Sequence, residues 1–313
     1  MTAIKVRPLS DDLPFGARII GVTVENSRSE GVRQQINEVF TECGMILFEE
    51  VEPSNAMQIA LSEVFGELQG YALADVIESA DRDMKGLVDF EYGDIFEVDG
   101  EELLAYLPWH FDACYTDKLN RGGILRALTI PPEGGITGFG DGIQLYRVID
   151  PALRDRFETL SIVYHTHLMF TNMRFGLPKG YKQVMMRPMI AEMLAATKDA
   201  PRAVHPAIWT RETGEKVLHV APWQAAGIDG MMTPEGDALL EALLQEIHAK
   251  VTPYRHKWSP TDMIIWDNWR FIHSVSGNPP QYERRMQRTT IEGDYGLGRM
   301  EIEGSAAPIG VDV

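Results

Sequence analysis

The chain has only two cysteines, Cys43 and Cys114, in 313 residues. They offer no disulfide framework, and the expected setting is a reducing cytoplasm. No apolar run approaches the length of a bilayer span, and no charged-then-apolar leader with a cleavage site opens the sequence, so no membrane association is expected. Positive charge is also scarce: 29 Lys and Arg against 46 Asp and Glu leave a formal charge of −17. Binding to nucleic acid needs a basic footprint for phosphates, so that class of partner is excluded. Internal repeats, low-complexity tracts and an evident linker are missing as well. A length of 313 residues could hold one large or two small domains, and with 44% hydrophobic residues to fill a core we expect one domain over residues 1–313.

Helical spacing of Val32, Ile36, Val39 and Phe40 predicts a helix over Glu30 to Cys43, followed by a strand at Met45-Ile46-Leu47-Phe48. Further helices are predicted over Ser54 to Val64, over Ala152 to Leu160 after a proline, and over Pro234 to Val251, where Leu239, Leu240, Leu243, Leu244 and Ile247 form one stripe. Short strand patterns separate them. The expected fold is mainly β with flanking α-helices, a double-stranded β-helix (jelly roll, cupin-like).

Chemistry enters at Trp109-His110-Phe111-Asp112, answered downstream by His273 after Trp266-Asp267-Asn268-Trp269-Arg270-Phe271-Ile272, and then by Arg284. Two imidazoles and one carboxylate can take one face of an octahedral Fe(II), leaving three positions for a bidentate co-substrate and O2. In an extended strand residues two apart share a face, so His110 and Asp112 can form a pincer with Phe111 turned away, and a distant strand supplies His273. A His-x-Asp triplet alone also reads as a surface turn with a solvated Asp; the combination carries the argument.

In order, His110-x-Asp112, Gly134-Gly135-Ile136-Thr137, the Trp-Asp-Asn strand before His273, and Arg284-Arg285-Met286-Gln287-Arg288-Thr289-Thr290-Ile291-Glu292-Gly293-Asp294 resemble the taurine/2-oxoglutarate dioxygenase family, which includes phenoxyacetate and alkyl sulfate dioxygenases. The resemblance spans Gly16 to Asp294. It implies His110, Asp112 and His273 as ligands of Fe(II), with 2-oxoglutarate and O2 as co-substrates and succinate and CO2 as products. It implies Arg284 as the fork holding the distal carboxylate of 2-oxoglutarate, with Thr137 adding a hydroxyl. Arg288 shares a strand face with Arg284, and three roles stay open: a substrate carboxylate, support of the co-substrate, or stabilising the barrel. With Asp112 filling its coordination position, hydroxylation is expected over halogenation. A homodimer or homotetramer is implied over a monomer.

Substrate identity departs from the taurine enzymes. Tyr71 and Tyr106 stand where those enzymes place a histidine and an asparagine, so taurine is not the expected substrate; two phenols suit a flat or apolar body. Phe111, Met169 and Phe170 join them as candidate substrate contacts, with Arg288. The segment His165 to Met189 holds Met169, Met173, Met185, Met186 and Met189 of the fifteen methionines, and is read as a lid or insert around 165–192, or as a core helix or oligomer contact. Trp209 and Trp223 flank a Glu-Thr-Gly-Glu hairpin and either line the cavity or pack the sheet. His165, His167, His205 and His219 show no spacing for a second metal. The acidic run Asp89 to Glu102 is expected to be a mobile surface loop near the entrance.

The expected activity is hydroxylation of an unactivated C–H of a hydrophobic small molecule, of terpenoid or aromatic carboxylate type. The alternative is oxidative cleavage of an aryloxyalkanoate ether or alkyl sulfate ester. Two rivals from other classes are a metal-free binding jelly roll and a zinc hydrolase using the same three ligands; neither requires Arg284 and Thr137.

Overall fold

The computed structural model describes residues 4–69 and 86–303. Two sheets face one another. The larger has seven strands in the order β1 (Lys5–Pro8), β2 (Ala17–Ile20), β3 (Met45–Glu49), β16 (Met263–Asp267), β7 (Gly122–Thr129), β18 (Arg285–Ile291) and β4 (Leu87–Glu91). The smaller runs β10 (Lys182–Met185), β5 (Ile95–Val98), β6 (Glu101–His110), β17 (Phe271–Asn278), β8 (Thr137–Asp141) and β15 (Tyr254–His256). Beyond it lie a four-stranded sheet, β14 (Ala225–Ile228), β9 (Ser161–Tyr164), β11 (Ala203–Pro206) and β19 (Arg299–Met300), and a hairpin of β12 (Ile208–Thr210) and β13 (Lys216–Leu218). This is a double-stranded β-helix with helices on its outside.

Period-two alternation explains the layers. On the larger sheet Leu47, Leu125, Ile264 and Met286 point inward to Phe139 and Phe271 of the smaller sheet. Their neighbours Ile46, Phe48, Ile124 and Ile265 point outward, where they cover α1 (Glu30–Cys43) and α2 (Asn55–Phe65) through Ile36, Phe40, Met57 and Leu61. The smaller sheet is backed by α3 (Gly142–Val148) and α6 (Pro234–Lys250). The expected stripe of α6, Leu239 to Ile247, is buried throughout; at roughly 1.5–3 kcal/mol per large apolar side chain, that face and not helix propensity fixes its position. Of the remaining helices, α4 (Pro151–Arg156) starts on the expected proline but ends sooner than predicted, because Phe157 leaves the helix and buries its ring in the core; α5 (Pro188–Ala196) begins in the 165–192 segment and runs past its end.

The acidic run Asp89 to Glu102 is not a loop. It forms the end of β4, all of β5 and the start of β6, because its apolar members alternate inward while its acids find cations. Phe90, Phe96 and Val98 are buried. Asp94 pairs with Arg187, and Asp89 and Glu91 with Arg285. The β5–β6 turn is Asp99-Gly100, both at positive φ (52° and 88°), the combination a two-residue hairpin turn requires.

Candidate metal and co-substrate site

β6 and β17 are antiparallel neighbours, and their register sets His110 directly opposite His273. The imidazole centroids lie 4.0 Å apart. One ligand atom from each of His110, Asp112 and His273 falls within 4.8 Å of the others, and all three residues are buried. The ladder carries a bulge: Leu107 faces Val275, but two residues, Pro108 and Trp109, stand against Ser274 before His110 meets His273. Proline has no N–H for the ladder and is at home in such a bulge. Its carbonyl accepts from His110 Nδ1 at 2.7 Å, which fixes that proton and leaves Nε2 for a metal.

Asp112 is not on the strand with His110. It lies in the turn beyond, and the side-chain amide of Asn268 holds it there: Asn268 Oδ1 accepts from the Asp112 N–H at 2.9 Å, and Asn268 Nδ2 donates to the Asp112 carbonyl at 3.0 Å. Nδ2 also reaches Asn120 Oδ1 at 3.0 Å. The pincer therefore comes from a turn clamped by a buried amide and not from strand alternation. In the sequence Asn268 was read only as part of the Trp-Asp-Asn strand, without a role of its own, and Asn120 was not singled out.

The charge states suit a metal. Burial lowers the pKa of His110, and burial followed by the neighbouring His110 lowers that of His273 well below the ordinary value, so both imidazoles are neutral. Burial would raise the Asp112 carboxyl; Arg288 first, then His273 and His110, outweigh it and hold the pKa below the usual value. Arg288 Nη1 donates to Asp112 Oδ1 at 2.9 Å, while the buried Oδ2 has no hydrogen-bond partner. Two neutral nitrogens and an anionic oxygen with a free lone-pair face fit a divalent cation.

Arg284 is 2% exposed. Its Nη2 reaches Thr137 Oγ1 at 3.5 Å, its guanidinium lies 4.9 Å from the ring centroid of Tyr92, and its Nε and Nη1 have no partner. A buried cation so poorly compensated is costly unless an anion meets it. Trp258 Nε1 donates to Thr137 Oγ1 at 3.0 Å, which leaves the hydroxyl proton free for the same anion. Thr137 faces Val275 across the ladder, two residues from His273 or about 7 Å along the strand, a span that a five-carbon diacid bridges. Gly134, at φ 72°, makes the approach to β8 possible: a Cβ there would lie 2.6 Å from the Gly277 carbonyl oxygen.

The taurine catabolism dioxygenase TauD/TfdA family model matches residues 5–290. The chain belongs to this family. It is 26% identical over 304 residues to an (S)-phenoxypropionate/alpha-ketoglutarate-dioxygenase of Sphingobium herbicidovorans, covering 93% of this chain and 96% of that one. It is 24% identical over 293 residues to an alpha-ketoglutarate-dependent 2,4-dichlorophenoxyacetate dioxygenase of Cupriavidus pinatubonensis, covering 90% and 95%. The fold matches the crystal structure of a taurine dioxygenase from Burkholderia xenovorans with a TM-score of 0.70 at 24% identity, over 98% of this chain and 97% of that one. This TauD/TfdA protein is an Fe(II)- and 2-oxoglutarate-dependent dioxygenase, with O2 as its other co-substrate.

The expected substrate contacts separate. Met169 and Phe170 are buried in an apolar cluster with Phe96, Leu107, Trp223 and Val275. Trp223 joins that cluster to His110, its ring 5.6 Å from Phe170 and 4.9 Å from the imidazole. Phe111 is a correction: its ring packs on Tyr164 and His219 (centroids 5.2 and 4.0 Å) in the core behind the site, because it points away from His110. Tyr106, across the bulge, pairs with Ser276, and its side chain packs against the same cluster as Phe96, Leu107 and Val275. It packs at the outer end of the aromatic cluster, 6.4 Å from Phe96 and 6.2 Å from Tyr181, where burial raises its pKa to about 12. Tyr71 lies outside the described residues. Arg288, besides Asp112, donates to Thr290 Oγ1 at 3.2 Å, and Gly123 leaves it room, since a Cβ there would stand 3.1 Å from its Nε. His205 and His219 are bonded to backbone carbonyls of Thr116 and Phe271, and Cys114 donates to Gln224. Among the described residues no helix is long and apolar enough to cross a membrane.

Proposed function

We propose that this dioxygenase oxidises a C–H bond of a hydrophobic, aromatic small molecule, forming succinate and CO2 from 2-oxoglutarate. His110, Asp112 and His273 would hold the iron, and Arg284 with Thr137 would hold the distal carboxylate of the co-substrate. Iron with 2-oxoglutarate and O2 supplies the oxidising power for hydrogen abstraction and hydroxyl transfer. Asn268 keeps Asp112 on the metal side, the Pro108 carbonyl keeps His110 in its ligating tautomer, and Arg288 keeps Asp112 ionised. The 2.9 Å contact of Arg288 with Asp112 favours a role apart from the three expected of it, that of holding the Asp112 carboxylate.

The observation that carries this reading is the buried fork of Arg284, whose Nε and Nη1 are unpartnered beside Thr137, one strand repeat from His273. A zinc hydrolase would need the three ligands but no such cation. The row of Phe96, Phe170 and Trp223 leading to His110 favours an aromatic body. A second outcome of the same chemistry is favoured by the two full-length relatives named for aryloxy acids: when the hydroxylated carbon carries an ether oxygen, the product is a hemiacetal that falls apart to a phenol and a carbonyl compound.

The test is succinate formation by anaerobically Fe(II)-loaded protein given 2-oxoglutarate and O2, against pools of terpenoid acids, aromatic acids, aryloxy acids, alkyl sulfates and taurine. Stimulation by the aromatic or aryloxy pools is the expected result, phenol release marking the ether-cleaving outcome. Stimulation by taurine or alkyl sulfates alone would refute the aromatic substrate, and failure to bind 2-oxoglutarate would refute the reading as a whole.

A further inference from the structure

The aromatic cluster beside His110 contains buried hydrogen-bonding groups that the iron and 2-oxoglutarate do not use. Trp223 is 5% exposed, and its indole Nε1 has no partner. The Tyr181 hydroxyl and both amide atoms of Gln183 are likewise buried without partners. Unmet buried donors cost roughly 1–3 kcal/mol each and are rare in native proteins, so several in one cluster mark a place built for an acceptor.

Their placement is ordered. Gln183 on β10 pairs with Phe96 on β5, so the two side chains share a face. Phe96 stacks on Tyr181 at 5.6 Å and on Phe170 at 5.3 Å. Phe170 meets Trp223, which meets His110. From the metal ligand outward there is thus one donor, Trp223 Nε1, then a layer of phenyl rings, then the pair Tyr181 and Gln183. Phe96 and Phe170 fill the space between the two sets of donors, so an aromatic body with a polar group at each end would lie alongside this row of rings. All the donors are uncharged. They suit an uncharged oxygen such as an ether, ketone or nitro group, since a carboxylate buried among them would lack a counter-charge.

We infer that Trp223, Tyr181 and Gln183 read the substrate through uncharged oxygen acceptors: Trp223 binds one beside the carbon that is oxidised, and Tyr181 with Gln183 bind one at the remote end of the aromatic ring. The inference rests on the aromatic-substrate reading of the same site and narrows it to aryl compounds bearing oxygen at both ends.

Calorimetric binding to the Fe(II)- and 2-oxoglutarate-loaded protein without O2 tests it with three probes of matched shape. 4-Methoxyacetophenone carries both acceptors; 4-ethylacetophenone replaces the ether oxygen by carbon, and 4-isopropylanisole replaces the ketone. The two-oxygen probe should bind roughly tenfold more tightly than either analogue, the value of one or two neutral hydrogen bonds. Trp223→Phe should erase its advantage over one analogue and Tyr181→Phe, which removes a single oxygen, its advantage over the other. Equal affinity for all three probes, no binding of any, or variants that weaken all three alike would overturn the inference. Its failure is distinct from that of the functional reading, because 2-oxoglutarate binding, measured on the same loaded protein, would then persist.

Discussion

The inner wall around His273 and the segment around 165–192 sit against one another, yet they are built on opposite rules. Around His110, Asp112 and Thr137 single hydrogen bonds hold the polar groups: His110 by the Pro108 carbonyl, the Asp112 peptide by Asn268, the Asp112 carboxylate by Arg288, Thr137 by Trp258. In the 165–192 segment regular structure is limited to a single turn at Phe170–Asn172, the four-residue β10 and the start of α5, and contact is made by methionine and aromatic faces with their polar tips unmet. The difference separates two tasks. Metal and co-substrate chemistry tolerates little displacement and suits groups held by specific hydrogen bonds; methionine and aromatic faces adapt and can be exchanged at less cost.

The largest effect should follow from breaking the braced wall at its anion. Asp112→Ala removes the only carboxylate among the three ligands and leaves Arg288 facing two imidazoles. Succinate formation should fall to background and Fe(II) binding, followed by calorimetry, should be lost, while circular dichroism stays native. Full Fe(II)-dependent activity in this variant would remove Asp112 from the metal site.

Acid should come next, and it acts on the wall from behind. Burial pushes His205 down to about 4 and His219 to about 3, so both are neutral when folded. In the unfolded chain they titrate near 6.5. Below that pH the unfolded state binds more protons than the native state, so stability falls as pH drops from about 6.5 towards 4, by up to about 1.4 kcal/mol per pH unit for each imidazole. Urea unfolding of metal-free protein at pH 7 and pH 5 should differ by at least roughly 3–4 kcal/mol, the share of these two, with His110 and His273 adding to the same loss. Equal midpoints would mean that these imidazoles are hydrated rather than sealed behind Phe111.

How far the sequence foretold this contrast depends on the kind of signal. Helices α1 and α6 were legible because a 3.6-residue stripe faces a sheet whatever the sheet's details. That His110, Asp112 and His273 come together, and that Arg284 lies buried beside Thr137, was legible because metal and carboxylate chemistry restrict residue type. Register was not legible. Nothing local in Tyr106-Leu107-Pro108-Trp109-His110 announces that two residues stand against Ser274, although Pro108 was a hint. The acidic run misled for the opposite reason: its charges drew attention away from the buried alternation of Phe90, Phe96 and Val98 and from the Asp99-Gly100 turn. Asn268 escaped because its role depends on a turn more than a hundred residues away in sequence.

A third prediction sharpens the boundary between the two regions. Arg284→Ala deletes the fork but leaves the ligands and the aromatic cluster in place. The KM for 2-oxoglutarate should rise between about tenfold and about a hundredfold, the worth of hydrogen bonds to a charged group. Substrate KM at saturating 2-oxoglutarate should change far less. If substrate KM rose and 2-oxoglutarate KM did not, Arg284 would belong to the substrate and the division would be drawn in the wrong place.

The smallest effect is expected in the adaptable segment itself. Phe170→Leu keeps an apolar side chain but removes the ring that stacks on Phe96 and meets Trp223 edge-on. An aromatic pair is worth roughly 0.5–1.5 kcal/mol beyond its buried area, so KM for an aromatic substrate should rise only about two- to tenfold. Metal affinity and the KM for 2-oxoglutarate should stay as they were, because Phe170 reaches His110 only through Trp223. Leucine could even favour a saturated ring over a planar one, and measuring both substrates in the same variant would read that shift directly. A parallel loss of metal affinity would show that the 165–192 segment helps to brace the wall, and the two regions would then have to be treated as one.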